Sequence, residues 1–177
     1  MSHRPDLEFL ATGLLPAKPL IHPVTLAELH EYFVERFPQS QTRERLYDNL
    51  MRYLKILNMF VGLYGVIING SYVTDKVDPR DIDISPLIVG TIFERSPREY
   101  QEAVNLLIDP GTRIVQLLWC HPLYVPFIYP VGHKRRKRND DILEASKAFW
   151  SRARGGMEKG ILYLRLGTEK DWRHTNG

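Results

Sequence analysis

The chain has 177 residues, 44% of them hydrophobic and 25% charged, the size and balance of one ordinary globular domain. No apolar run is long enough to span a bilayer, and the opening MSHRPDLEF lacks an apolar signal core, so the expectation is a cytoplasmic protein with no membrane partner. A single cysteine, Cys120, excludes an internal disulfide and a Cys-rich zinc site, and a net charge of only +3 names no partner by itself.

Residues 1–23 read as an irregular segment punctuated by Pro5, Pro16, Pro19 and Pro23. Thr25-Leu-Ala-Glu28 is a capping-box pattern and predicts a helix over 26–37, ended by Pro38. A second helix starts near Ser40 or Thr42. Leu46, Leu50, Tyr53, Leu54 and Leu57 recur along it at helical spacing and form one stripe for packing on a sheet. LYGVIIN, 63–69, is short, apolar and β-branched, hence a buried strand. DIDISPLIV, 81–89, is a second strand, in which Pro86 predicts a sheet edge or an exit from the sheet.

Ser96-Pro97-Arg98-Glu99 opens a helix that runs to about Leu107, and Asp109-Pro110-Gly111 is a turn. TRIVQLLW, 112–119, reads as a third strand, and LYVPFIY, 123–129, as a fourth element broken at Pro126. A helix over 140–152 follows, with Ile142, Leu143, Ala145 and Phe149 on its apolar side; Gly155-Gly156 breaks it. ILYLRL, 161–166, is a closing strand, and 168–177 a polar tail. This order predicts one α+β domain over 1–177, a mixed β-sheet flanked by helices with helices first in the chain. Lys134, Arg135, Arg136, Lys137 and Arg138 form an unbroken cationic run, either a solvated loop or a grip for the phosphates of RNA.

The chemistry concentrates in IINGSYVTDKVDPRDIDIS, 67–85. A buried strand that runs into Gly70-Ser71 exposes backbone N–H groups beside a small hydroxyl, a cradle suited to phosphate. Asp81 and Asp83 leave the next strand on one face, where strand interiors disfavour Asp. Adjacent carboxylates repel unless a cation joins them, and a hard ion such as Mg²⁺ takes oxygen ligands and shares them with substrate phosphates. The alternative for the pair is a plain turn leading into an exposed strand face. Lys76, in the intervening loop, is placed either to neutralise phosphate or simply at the surface.

Gly70-Ser71, nine residues, then Asp81-Ile82-Asp83 between two apolar strands resembles the signature of the DNA polymerase β-type nucleotidyltransferase superfamily. The short chain is similar to the minimal prokaryotic members found in toxin–antitoxin and phage-defence systems. The resemblance covers residues 64–86. It implies that Gly70 and Ser71 hold the β- and γ-phosphates of a nucleoside triphosphate. It also implies that Asp81 and Asp83 bind two Mg²⁺ or Mn²⁺ ions, and that a nucleoside monophosphate passes to a hydroxyl of RNA or protein. A cognate toxin or antitoxin is the partner such a setting implies. Members as a rule carry a third carboxylate on a neighbouring strand, but 112–130 contains no Asp or Glu. The expected position falls at Cys120 or His121, and His121 is the candidate ligand or general base. Glu94 and Asp109 are the other candidate acids. A protein of this fold that binds nucleotide, nucleic acid or a partner without turnover is the alternative.

Overall fold

The computed structural model describes residues 4–153 and 155–166. The expected polar tail, 168–177, lies outside them. Six strands form one mixed sheet in the order β1 (Ile21–Val24), β6 (Ile161–Arg165), β2 (Leu63–Asn69), β3 (Ile82–Val89) and β4 (Cys120–Pro122), with β5 (Phe127–Ile128) also on β3. β1–β6 and β3–β4 are parallel, whereas β6–β2 and β2–β3 are antiparallel. The α+β class and the mixed sheet flanked by helices are as expected.

Local signals explain most of the helices. Thr25 and Glu28 make the reciprocal capping box. It opens α1 (Leu26–His30), which continues as a π-helical turn through Glu35. In α2 (Arg43–Asn58) the whole predicted stripe, Leu46, Leu50, Tyr53, Leu54 and Leu57, is buried. It packs against Val66, Ile68, Ile82, Ile84 and Ile88 on one sheet face. The opposite face carries Ile67, Leu87 and Ile161, with Trp150 of α6 (Arg136–Trp150) packed on it.

Four expectations change. Residues 21–24 are not irregular: they form the edge strand β1, where Pro23 is tolerated. Pro86 lies inside β3, not at an edge. Ile82 and Ile88 donate their N–H groups to Trp119 O and Pro126 O, so residue 86, of the same parity, points its nitrogen to that side too. There the neighbouring strand is interrupted between β4 and β5, and no ladder bond is missed. Residues 112–119 are not a strand: α5 (Arg113–Leu118) buries only Val115 and leaves Ile114 and Leu117 exposed. Trp119, at φ 55°, ends it and turns the chain into β4. Finally, α6 begins within the cationic run. Its inward residues are Leu143, Ser146 and Trp150, while Phe149 is exposed. α3 (Gly90–Arg95) and α4 (Arg98–Ile108) complete the shell.

Arg43 fixes the connection between β2 and β3. Its guanidinium is fully buried, with no carboxylate paired to it among the described residues. It donates instead to the carbonyls of Phe33, Tyr72, Thr74, Lys76 and Val77, at 2.6–3.3 Å. All five N–H donors are used, and the ring of Phe37 stacks 3.7 Å below. Burial lowers the Arg43 pKa to about 10, which leaves it charged at neutral pH. Asp78 ties the same loop to the start of α2 by accepting from Gln41 N and Ser40 Oγ. Arg43→Met is expected to cost about 3–5 kcal/mol in urea unfolding, because several buried carbonyls lose their donor at once. Arg43→Lys, with three donors, is expected to recover only part of it.

Candidate functional site

The strands bring their polar ends together at one end of the sheet. Asn69 of β2, Asp83 of β3 and His121 of β4 are register partners, so they form a row across three strands on the face covered by α6. Asp81 precedes Asp83 by two and shares its face. His121 Nδ1 lies 3.4 Å from Asp81 Oδ2. One ligand atom from each of Asp81, Asp83 and His121 falls within 4.8 Å of the others, all three residues half-buried. Two carboxylates and an imidazole in that span fit a divalent cation that accepts oxygen and nitrogen donors.

Asp83 is packed onto the turn that follows β2. Gly70 has φ +76°, and a Cβ there would sit 2.4 Å from an Asp83 carboxylate oxygen. Only glycine meets both conditions, positive φ and the close approach. Gly70–Val73 is a single 3-10 turn, closed by Thr74 Oγ1 donating to Ser71 O at 2.8 Å.

Gly70, Ser71, Lys76, Asp81 and Asp83 all line one cleft of about 1070 Å³. Lys76 and Arg80 are exposed residues of its wall, and Arg152 another. The cleft opens where α6 stops. Trp150 anchors that end twice. Its Nε1 donates to Ser85 Oγ at 3.1 Å, and its carbonyl accepts from Asn69 Nδ2 at 3.1 Å.

Two residues of the cleft go unassigned in the sequence. Lys159 is 5% exposed, and its Nζ donates to Gly70 O at 3.4 Å. Burial lowers its pKa, and the Asp83 carboxylate opposes that shift. Asn69 is 4% exposed, and its Oδ1 is buried with no hydrogen-bond partner among the described residues. Asn69 ends an apolar run directly before Gly-Ser, and that break in the pattern marks it. Nothing local marks Lys159, which reaches the cleft only because β6 pairs with β2.

The remaining candidates lie elsewhere. Glu94 accepts from Tyr129 Oη and pairs with Arg135, and Asp109 caps Gly111 N. Neither completes the Asp81–Asp83 pair, and among the described residues β4 offers it only His121. The thiol of Cys120 is buried and pushed up to about 12, so it stays protonated. Lys134, Arg135, Arg136, Lys137 and Arg138 lead into and begin α6. Helix rise puts them roughly 20 Å from the cleft at its other end. Arg135 pairs with Glu94 and Arg136 with Asp140, while Lys134, Lys137 and Arg138 are exposed.

Residues 7–165 match the family of unknown function DUF6932, and the chain belongs to that family. No curated protein and no solved structure matches the chain.

Gly70→Ala is expected to leave a folded protein that binds Mn²⁺ at least about tenfold more weakly, because the added methyl displaces the Asp83 carboxylate. Isothermal calorimetry measures it, with Ser71→Ala, which moves no proposed ligand, expected to bind like the parent.

Proposed function

We propose that this member of the family transfers a nucleoside monophosphate from a nucleoside triphosphate to a hydroxyl of RNA or protein, using a divalent cation; the α–β phosphoanhydride bond breaks, and pyrophosphate and the hydroxyl proton are released. The observation that carries the reading is the convergence of Asp81, Asp83 and His121, with both aspartates lining the same cleft as Gly70-Ser71. That arrangement fits the signature the sequence resembles, with an imidazole in the place of the third acid.

Asp81, Asp83 and His121 are the residues that would hold the cation. When bound, it supplies charge stabilisation to the phosphoryl oxygens and lowers the pKa of an attacking hydroxyl. Asp81 lies against the His121 ring and keeps Nδ1 turned toward the pair. Gly70 and Ser71 present backbone and hydroxyl donors to the triphosphate, and Gly70 keeps that approach open. Lys76 and Arg80 offer the phosphates exposed cations on the cleft wall. The cationic run at 134–138 is a second, remote contact for an RNA acceptor, weakened by salt.

One observation favours a second reading, binding without turnover: among the described residues β4 brings no carboxylate to the pair. Label transfer separates the two. The protein is incubated with each of four α-labelled nucleoside triphosphates, Mg²⁺ or Mn²⁺, total RNA and a cell extract. The transferase reading predicts label on RNA or protein. Asp81→Ala and Asp83→Ala are each expected to lower it about 100-fold or more, and His121→Ala about tenfold or more. A folded protein that labels nothing in any mixture leaves the binding reading.

A further inference from the structure

A buried ammonium beside a metal-binding carboxylate has electrostatic consequences. Lys159 is held by its backbone on both sides: its own N–H donates to Ser151 O at 2.7 Å, and Gly160 N–H donates to Leu15 O at 3.1 Å. The side chain then runs under the Gly70 turn, where Nζ meets Gly70 O. Gly70 is the residue packed against Asp83. One fixed positive charge is therefore built into the floor of the cleft, on the side of Asp83 away from His121.

The ligand set is small. Two carboxylates and one imidazole are all that the described residues gather there. Two ions about 4 Å apart need a bridging carboxylate and further ligands of their own. A single octahedral ion needs only two or three protein ligands and keeps waters or substrate oxygens for the rest. A second dication would also enter a cleft that already holds Lys159, with Lys76, Arg80 and Arg152 on its walls. Repulsion from a buried, fixed charge is screened far less than that from a surface one.

We infer that the cleft takes one divalent cation, on Asp81, Asp83 and His121, and that the Lys159 ammonium stands where a second would otherwise sit, facing the triphosphate. This rests on reading the cleft as a cation-dependent nucleotide site, and it changes the two ions implied by the sequence resemblance to one. Lys159 is then a binding residue that no spacing in the motif identifies.

The count of bound Mn²⁺ tests it. Protein is titrated with Mn²⁺ and followed by electron paramagnetic resonance, alone and with a nucleoside triphosphate analogue that cannot be cleaved at the α-phosphate. The expected result is one protein-bound ion per chain, with no spin-coupled pair in either state. Two ions per chain, or a coupled pair, overturns the inference and leaves the transferase reading standing. No bound ion overturns both.

Lys159→Met supplies a second readout, checked for folding by circular dichroism. Loss of the fixed charge is expected to tighten Mn²⁺ binding at least about threefold while weakening binding of the analogue. Lys159→Arg is expected to keep the parent's order. A folded Lys159→Met protein with unchanged Mn²⁺ and analogue affinity overturns the inference.

Discussion

The Arg43 guanidinium sits at the junction of α2, the π-helical turn before it and the loop that joins β2 to β3. The spacer between Ser71 and Asp81 forms no strand, so its carbonyls need donors from elsewhere. Arg43 supplies them to Tyr72, Thr74, Lys76 and Val77, and Asp78 returns the loop to the start of α2. A buried cation without an anion is ordinarily costly. Here every donor is matched and an aromatic ring lies beneath, so the charge is solvated by protein dipoles. The loop in turn fixes where the chain enters β3, and so where Asp81 and Asp83 stand.

The sheet does the rest of the positioning. Register places Asn69, Asp83 and His121 in one row, and register is a consequence of which faces are buried. A slip of one residue in β3 would turn Ile82 and Ile84 to the cleft and both aspartates into the core. Trp150 closes the other side by holding the end of α6 to Asn69 and Ser85. The cleft thus lies between a helix end, a 3-10 turn and the ends of β2 and β3, with Lys159 also lining it.

The sequence was most legible where order is local. The 63–89 stretch has a clear period, a spacing and flanking apolar residues, and both strands and the Gly-Ser turn lie where those features put them. It was least legible where partners are distant. Ile114 and Val115 suggest a strand, but a short apolar run cannot distinguish strand from helix, and the places beside β3 belong to β4 and β5. β1 was hidden by prolines that an edge strand tolerates. Phe149 looks like a core residue on a helical wheel, yet the buried position is Trp150, next to it. Lys159 reads as a surface lysine before a strand, and only the pairing of β6 with β2 puts it under Gly70.

The central claim is that Asp81, Asp83 and His121 make a cation site at this cleft. Paramagnetic broadening maps it directly: ¹⁵N-labelled protein receives sub-stoichiometric Mn²⁺, and each amide's signal loss is followed. The account predicts that Gly70, Ser71, Ile82, Asp83 and His121 fade first, while residues 134–138, roughly 20 Å away along α6, persist. Early loss around Asp140, Asp141 and Glu144 instead, with the cleft amides intact, would contradict it.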